Sequence, residues 1–201
     1  MNTRNYIEAC RKDFWKRVFQ QETNYAQREL SGCRDILSVG CGPAVIEGAL
    51  CECGFEVTGL DVSEEALNEA PDGVRTILGS AEQTNIGTSS FDAILYVASL
   101  QFIDDYMKAL RESERILKPG GTLLVMLLNP ESFFFEEKRK DPTSYINNIK
   151  HIDINAVEKA ISEIFIIEKA EYFLGIRGEK LFDSTDPRHA SLYCIKAKKR
   201  G

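Results

Sequence analysis

No apolar run in this chain approaches the roughly 20 residues that a membrane-crossing helix needs. The longest, Leu123 to Leu128, has the length of a strand. The opening stretch from Met1 to Asn5 leads into mixed polar and apolar residues and lacks the apolar segment of a secretion signal. The expectation is therefore a cytoplasmic protein without a membrane anchor. There is no excess of positive charge either: 25 Lys and Arg face 31 Asp and Glu, for a net charge of −6. A nucleic-acid partner is not expected, because phosphate-backbone binding needs a concentrated basic face. The one basic cluster, Lys196, Lys198, Lys199 and Arg200, reads as a solvated tail. No repeat or low-complexity segment is present. The six cysteines (Cys10, Cys33, Cys41, Cys51, Cys53 and Cys194) lack the two-residue gap of zinc sites. They read as free thiols, and no metal is expected.

The rest is ordinary for a globular chain: 201 residues, 43% hydrophobic and 28% charged, enough for one sizeable core. Ile7, Cys10, Phe14 and Val18 recur at spacings of three and four, which predicts an N-terminal helix whose stripe Trp15 and Phe19 widen. A second short helix is expected around Tyr25, Ala26 and Leu30. From Asp35 the pattern turns to strand and helix in alternation. Strands are expected at Ile36–Val39, Phe55–Leu60, Val74–Leu78, Phe91–Val97 and Thr122–Leu128. Helices are expected after Val45, after Ser63 as N-cap, and from Asp104 to Leu117, the last stopped by Lys118-Pro119-Gly120-Gly121. Residues 129–152 read as a long excursion over the site. Asn155 opens a helix, with Glu158 three residues later as in a capping box. Two further strands, from Ile166 and over His189–Ala197, close the chain. Such alternation predicts a mostly parallel sheet with helices on both faces. Ligands then bind beyond the carboxyl ends of the strands.

The stretch Ile36-Leu37-Ser38-Val39-Gly40-Cys41-Gly42-Pro43-Ala44 runs an apolar strand into glycines and then at once into a helix. Glycines there allow a tight turn and close backbone approach to a ligand, and the helix start favours polar groups. Asp61 ends the second strand, 19 residues after Gly42. At about that spacing a carboxylate accepts both hydroxyls of a ribose in nucleotide-binding βαβ units. Asp61 could also be a mere helix cap. The third glycine of a dinucleotide fingerprint would fall at Val45, so the pattern for NAD fails.

Val39-Gly40-Cys41-Gly42-Pro43-Ala44 resembles motif I of the class I S-adenosylmethionine-dependent methyltransferases, in the subgroup called methyltransferase type 11. The resemblance extends through Gly59-Leu60-Asp61-Val62-Ser63, Gly79-Ser80-Ala81-Glu82, Ser90-Phe91-Asp92-Ala93-Ile94 and Arg115-Ile116-Leu117-Lys118-Pro119-Gly120-Gly121. It implies a Rossmann-like α/β fold with a seven-stranded, mostly parallel sheet, its last strand antiparallel, helices on both faces and an N-terminal helical cap. It implies one domain over 1–201: a cap at 1–33, a cofactor core at 34–128, and a substrate-side loop with C-terminal helix and strands at 129–201. S-adenosylmethionine would be the cofactor. Gly40, Cys41 and Gly42 would line its methionine part and Asp61 its ribose. Val62 would lie against the adenine, with Ala81 and Glu82 near its edge, and Tyr96 and Val97 would approach the methionine amino group. Ser80 stands where the family frequently has aspartate, which weakens the expected adenine contact.

The implied function is methyl transfer to a small-molecule acceptor. The sulfonium is already activated, so positioning and water exclusion suffice and no catalytic residue is assigned. Gln101, Tyr145 and His151 are candidates should the acceptor need deprotonation. Each has a structural alternative: Gln101 as a loop holder, Tyr145 as packing, His151 as a solvated loop residue. Phe133, Phe134 and Phe135 could wall the substrate side, and Phe14, Trp15 and Tyr25 could close over the cofactor, or all six could simply pack. Two other functions stay open: a non-catalytic regulator or partner subunit that binds S-adenosylmethionine or S-adenosylhomocysteine, and a NAD-type oxidoreductase. The oligomeric state is left open.

Overall fold

The structure, a computed structural model, describes residues 3–200, with side chains from residue 7 onward. Met1 and Asn2, the first residues of the opening stretch considered above, lie outside the described residues. Helix α1 (Thr3–Cys10) and helix α2 (Asp13–Glu29) come first. The chain then alternates through β1 (Asp35–Val39), α3 (Val45–Glu52), β2 (Glu56–Asp61), α4 (Glu64–Leu67), β3 (Arg75–Leu78), β4 (Phe91–Val97), α5 (Tyr106–Ile116) and β5 (Leu117–Leu128). It ends with α6 (Phe133–Arg139), α7 (Ile154–Ile164), β6 (Phe165–Arg177), β7 (Lys180–Phe182) and β8 (Ala190–Lys199).

The expected α/β fold is present, with one correction. The sheet has eight strands, not seven, in the order β3-β2-β1-β4-β5-β8-β6-β7. β1 to β5 are mutually parallel, and β8 runs antiparallel between β5 and β6. The added strand is the return arm of a hairpin: β6 turns at Gly178, whose φ is +58°, and Lys180–Phe182 pairs back on Gly175–Arg177. Gly175 makes this possible, since a Cβ there would stand 2.4 Å from the Phe182 ring.

Alternation of side chains across the strands builds two cores. Ile36, Val57, Ala93, Leu95, Leu124 and Met126 face α2 and α6. Leu37, Leu60, Ile94, Tyr96, Leu123 and Val125 face α5 and α7. Strands buried on both faces read as continuous apolar runs, which is why they were legible.

Other boundaries moved. Tyr25 and Ala26 belong to α2 itself, because the helix breaks at Arg11–Lys12 and then continues unbroken to Glu29. Lys118-Pro119-Gly120-Gly121 lies inside β5: Phe91 pairs Leu117 and Ala93 pairs Thr122, so these four residues loop out of the ladder as a bulge. The cap of α7 is Asp153, whose carboxylate accepts from Ala156 N at 3.0 Å, not Asn155. Glu158 accepts the Tyr193 hydroxyl at 2.7 Å and closes no capping box. Ser63 caps α4 as expected, accepting from Ala66 N at 3.2 Å. The excursion after Leu128 is partly ordered into α6, capped by Ser132, and a short 3-10 turn over Tyr145–Asn148.

The basic cluster is no tail. Lys196, Lys198 and Lys199 lie in β8, where Lys198 donates to Thr122 Oγ1 at 2.7 Å and Lys199 to the Leu117 carbonyl at 2.8 Å. Lys196 pairs with Glu29 at 3.5 Å. None of the six cysteines is in a disulfide. Among the described residues no helix is long and apolar enough to cross a membrane.

Candidate functional site

A cavity of about 750 Å³ opens at the carboxyl ends of the parallel strands. That lies in the upper part of the roughly 300–1,000 Å³ usual for cofactor and small-molecule sites. One half sits over β1, β2 and β3, the other over the ends of β4, β5, β8 and β6, roofed by α2, α6 and the Tyr145 turn.

The first half is built on the glycine turn. Gly40 has φ +71° and Gly42 φ +56°, a region that glycine occupies without strain. Gly40 N and Cys41 N both donate to the Leu60 carbonyl, at 2.7 and 3.3 Å, which pins the turn to the end of β2. Behind it, Ser99 Oγ donates to the Val39 carbonyl at 2.6 Å, and a Cβ on Gly40 would stand 2.6 Å from Ser99 Cβ. Asp61 accepts from Gly42 N and from Ser63 N, each at 2.8 Å. The same carboxylate thus locks the turn and faces the cavity, with lone pairs left over on both oxygens.

Gly40, Cys41, Gly42 and Asp61 line the cavity, as do Val62, Ala81, Glu82 and Val97. Val62 is 74% exposed at the rim, an apolar face available to a flat ring. Glu82 Oε1 accepts from Asp105 N at 3.1 Å, fastening its loop to the start of α5. Ser80 also lines the cavity, its hydroxyl accepting from Glu82 N at 3.2 Å. Tyr96 is the exception. It lies inside β4 with its side chain on the opposite face, fully buried and bonded to Ser113 Oγ at 2.7 Å, because strand alternation sends Val97 to the site and Tyr96 away from it.

The proton-transfer candidates separate cleanly. Gln101 takes the loop-holding role: its amide accepts from Leu128 N at 2.7 Å and donates to the carbonyls of Leu128 and His151. His151 turns away from the cavity, its Nε2 on the Ile103 carbonyl at 2.9 Å and its ring edge-on to Tyr106. Tyr145 does line the cavity. Of the other aromatics, Trp15 and Phe134 reach it. Phe14 and Phe135 do not, Phe133 stacks under Arg188, and Tyr25 bonds Glu171 at 2.9 Å.

Two buried cavity carboxylates escaped the sequence reading. Glu22 on α2 and Glu47 on α3 are buried, 6% and 3% exposed. Glu47 accepts the Ser38 hydroxyl beneath the glycine turn. Burial, with the charge of Glu47 adding to it, pushes Glu22 up to about 8. Burial likewise pushes Glu47 up to about 7, against the Ser38 hydrogen bond. Carboxyls raised above their ordinary value of 4.5 in the folded state contribute stability that is full below 4.5 and is lost as pH rises through about 7 and 8. The lowered carboxylates Asp92 and Glu112 act only below that window. The thermal midpoint of the unliganded protein should therefore fall between pH 5 and pH 8, by several degrees at roughly 2–4 °C per kcal/mol for a chain of this size. Glu22→Gln should flatten the profile; a midpoint independent of pH would show that these carboxyls are hydrated.

Two stretches of the resemblance, those holding Asp92 and Lys118, serve the fold and not the site. Asp92 accepts from Arg34 N and Asp35 N and pairs Lys118 at 2.7 Å, tying the starts of β1, β4 and β5 together at the amino ends of these central strands, opposite the cavity.

Residues 37–125, from β1 into β5, match the family model of the methyltransferase domain. A ubiquinone biosynthesis O-methyltransferase of Nitrosospira multiformis is 28% identical over 115 residues, 51% of this chain and 47% of that protein. An uncharacterized methyltransferase of Bacillus subtilis is 33% identical over 112 residues, 52% of this chain and 62% of its own. The chain thus spans about half the length of the first of these relatives. A solved structure from Thermotoga maritima, described as an S-adenosylmethionine-dependent methyltransferase and possible histamine N-methyltransferase, superposes with TM-score 0.81 at 23% identity. That match covers 98% of this chain and 97% of the other. The segment from β1 into β5 is thus similar to a methyltransferase domain. The fold of the chain is that of the Thermotoga structure.

Proposed function

We propose that this protein is an S-adenosylmethionine-dependent methyltransferase acting on a small-molecule acceptor. The observation that carries the reading is the joint geometry of Asp61 and the glycine turn: one carboxylate braces Gly42 N and still faces a cavity bounded by an exposed apolar Val62. A nucleoside needs those three features together: a glycine turn that lets the backbone come close, a diol acceptor and an apolar face. Bound there, S-adenosylmethionine would supply an activated methyl group on a positively charged sulfur. Gly40, Cys41 and Gly42 would hold the methionine part, Asp61 the ribose, and Val62, Ala81 and Glu82 the adenine side, with Val97 beside the methionine amino group. Residues 34–128 form the cofactor core, 1–33 the cap and 129–201 the substrate side of one domain. The names of the relatives and the Thermotoga neighbour support small-molecule acceptors, and six cysteines without a disulfide fit a cytoplasmic setting without requiring it.

The protein's own contribution is positional. α2, α6 and the Tyr145 turn cover the half of the cavity over β4 and β5, excluding water from the line along which the methyl group moves. Incubation with methyl-labelled cofactor and a panel of small phenols, amines and carboxylic acids should give labelled product with at least one class. Cofactor binding without transfer to any of them would favour the non-catalytic reading.

A further inference from the structure

The covered half of the cavity carries a carboxyl group that the cofactor frame above leaves unassigned. Glu22 lies on α2 where the apolar stripe of Phe14, Val18 and Ala26 would otherwise continue, and its carboxylate lines the cavity at 6% exposure. Among the described residues no hydrogen bond or ion pair engages Glu22, yet no fully buried side-chain oxygen lacks a partner, so its carboxyl opens on the cavity, where a polar group of a ligand can reach it. Trp15, Phe19, Phe102, Phe134 and Tyr145 line the same half. Trp15 and Phe134 meet edge to face at 6.2 Å, and Phe102 stacks on Tyr145 at 6.2 Å. This wall already draws a cation: the Lys138 ammonium lies 5.9 Å over the Trp15 ring and 5.7 Å over the Phe134 ring.

Resting on the methyltransferase reading, we propose that the acceptor is a small amine, whose ammonium pairs with Glu22 and whose apolar body lies among these aromatic rings. An ammonium on Glu22 makes a neutral buried pair beside Glu47. A carboxylic acid would bring a third acidic group beside Glu22 and Glu47, and a neutral phenol offers no charge to offset Glu22 when it ionises. Glu22 also supplies the proton step. The bound ammonium gives one proton to Glu22, whose basicity is raised by burial. The freed lone pair of nitrogen forms the new C–N bond as the methyl C–S bond breaks, and that electron pair stays on sulfur as a neutral thioether. The product leaves as a methylammonium, and Glu22 returns its proton to water, so one proton is released per turnover.

The test uses the full chain loaded with S-adenosylhomocysteine and a series of alkyl- and arylalkylamines, each beside its alcohol isostere and a matched phenol. Calorimetry should show at least one amine binding about 30-fold or more tighter than its alcohol. Glu22→Gln should abolish that preference while leaving S-adenosylhomocysteine affinity within about twofold. The wild-type comparison needs no variant, so a misfolded Glu22→Gln protein does not remove the test. Equal binding of amine and alcohol, tighter binding of the phenol, or no amine binding to loaded protein overturns the amine assignment and leaves the methyltransferase reading standing. Equal loss of S-adenosylhomocysteine and amine in Glu22→Gln overturns it too, by giving Glu22 to the cofactor. Failure of the wild type to bind S-adenosylhomocysteine overturns both.

Discussion

Asp61→Ala should weaken binding of S-adenosylhomocysteine by about 2–4 kcal/mol, roughly 30- to 1,000-fold. The expected loss has two parts. One is the pair of charge-assisted hydrogen bonds to the ribose hydroxyls. The other is the preorganised turn, since Gly42 N and Ser63 N, each 2.8 Å from this carboxylate, lose their acceptor. Asp61→Asn separates them. Its amide oxygen can keep one backbone bond, but its NH₂ cannot accept, so an intermediate loss is expected. Titration calorimetry on both variants, with thermal melts alongside, measures the partition. Affinity unchanged in Asp61→Ala would take Asp61 out of the cofactor site altogether. A collapse of the melt with affinity retained in the folded fraction would make it a brace only.

Gly40→Val should be the most damaging single change in the turn. Its φ of +71° is a region that β-branched residues adopt only under strain, and the added Cβ would stand 2.6 Å from Ser99 Cβ. Strain and clash together are expected to cost about 3 kcal/mol or more, a fall of roughly 6–12 °C in the thermal midpoint, and to abolish cofactor binding. A double-mutant cycle with Gly40→Ala and Ser99→Gly isolates the clash, because the smaller partner relieves the contact but not the φ angle. Positive coupling with incomplete rescue is the expected result. Full rescue would show that the φ angle carries no cost, and additivity would show that the turn moves away from Ser99.

The parts of this molecule written by local rules were legible in the sequence. Strands covered on both faces announced themselves as apolar runs, and the turn at Gly40–Gly42 and the acid at Asp61 stood at recognisable spacing. What was lost depended on tertiary partners. Lys118-Pro119-Gly120-Gly121 reads as a stop, and only its pairing to β4 makes it a bulge inside β5. The lysines of β8 read as a solvated tail until Glu29, Thr122 and the Leu117 carbonyl take them up. The assignment of Tyr96 to the site missed that strand alternation turns its side chain toward Ser113. Glu22 and Glu47 left a signal that went unread. Glu22 falls four residues after Val18 on the apolar stripe of α2, and Glu47 stands among Val45, Ile46, Ala49 and Leu50. A charge at a position the helical period reserves for the core is either an error of pattern or a group with a task. Here both such charges line the cavity.

The measurement that bears most directly on the account is calorimetric titration of the protein with S-adenosylhomocysteine and S-adenosylmethionine, with NAD as the control. Micromolar binding of both adenosyl ligands and none of NAD is the predicted result. Binding of NAD, or no binding of either adenosyl ligand to folded protein, would contradict the claim that the cavity at the glycine turn is a methyl-donor site.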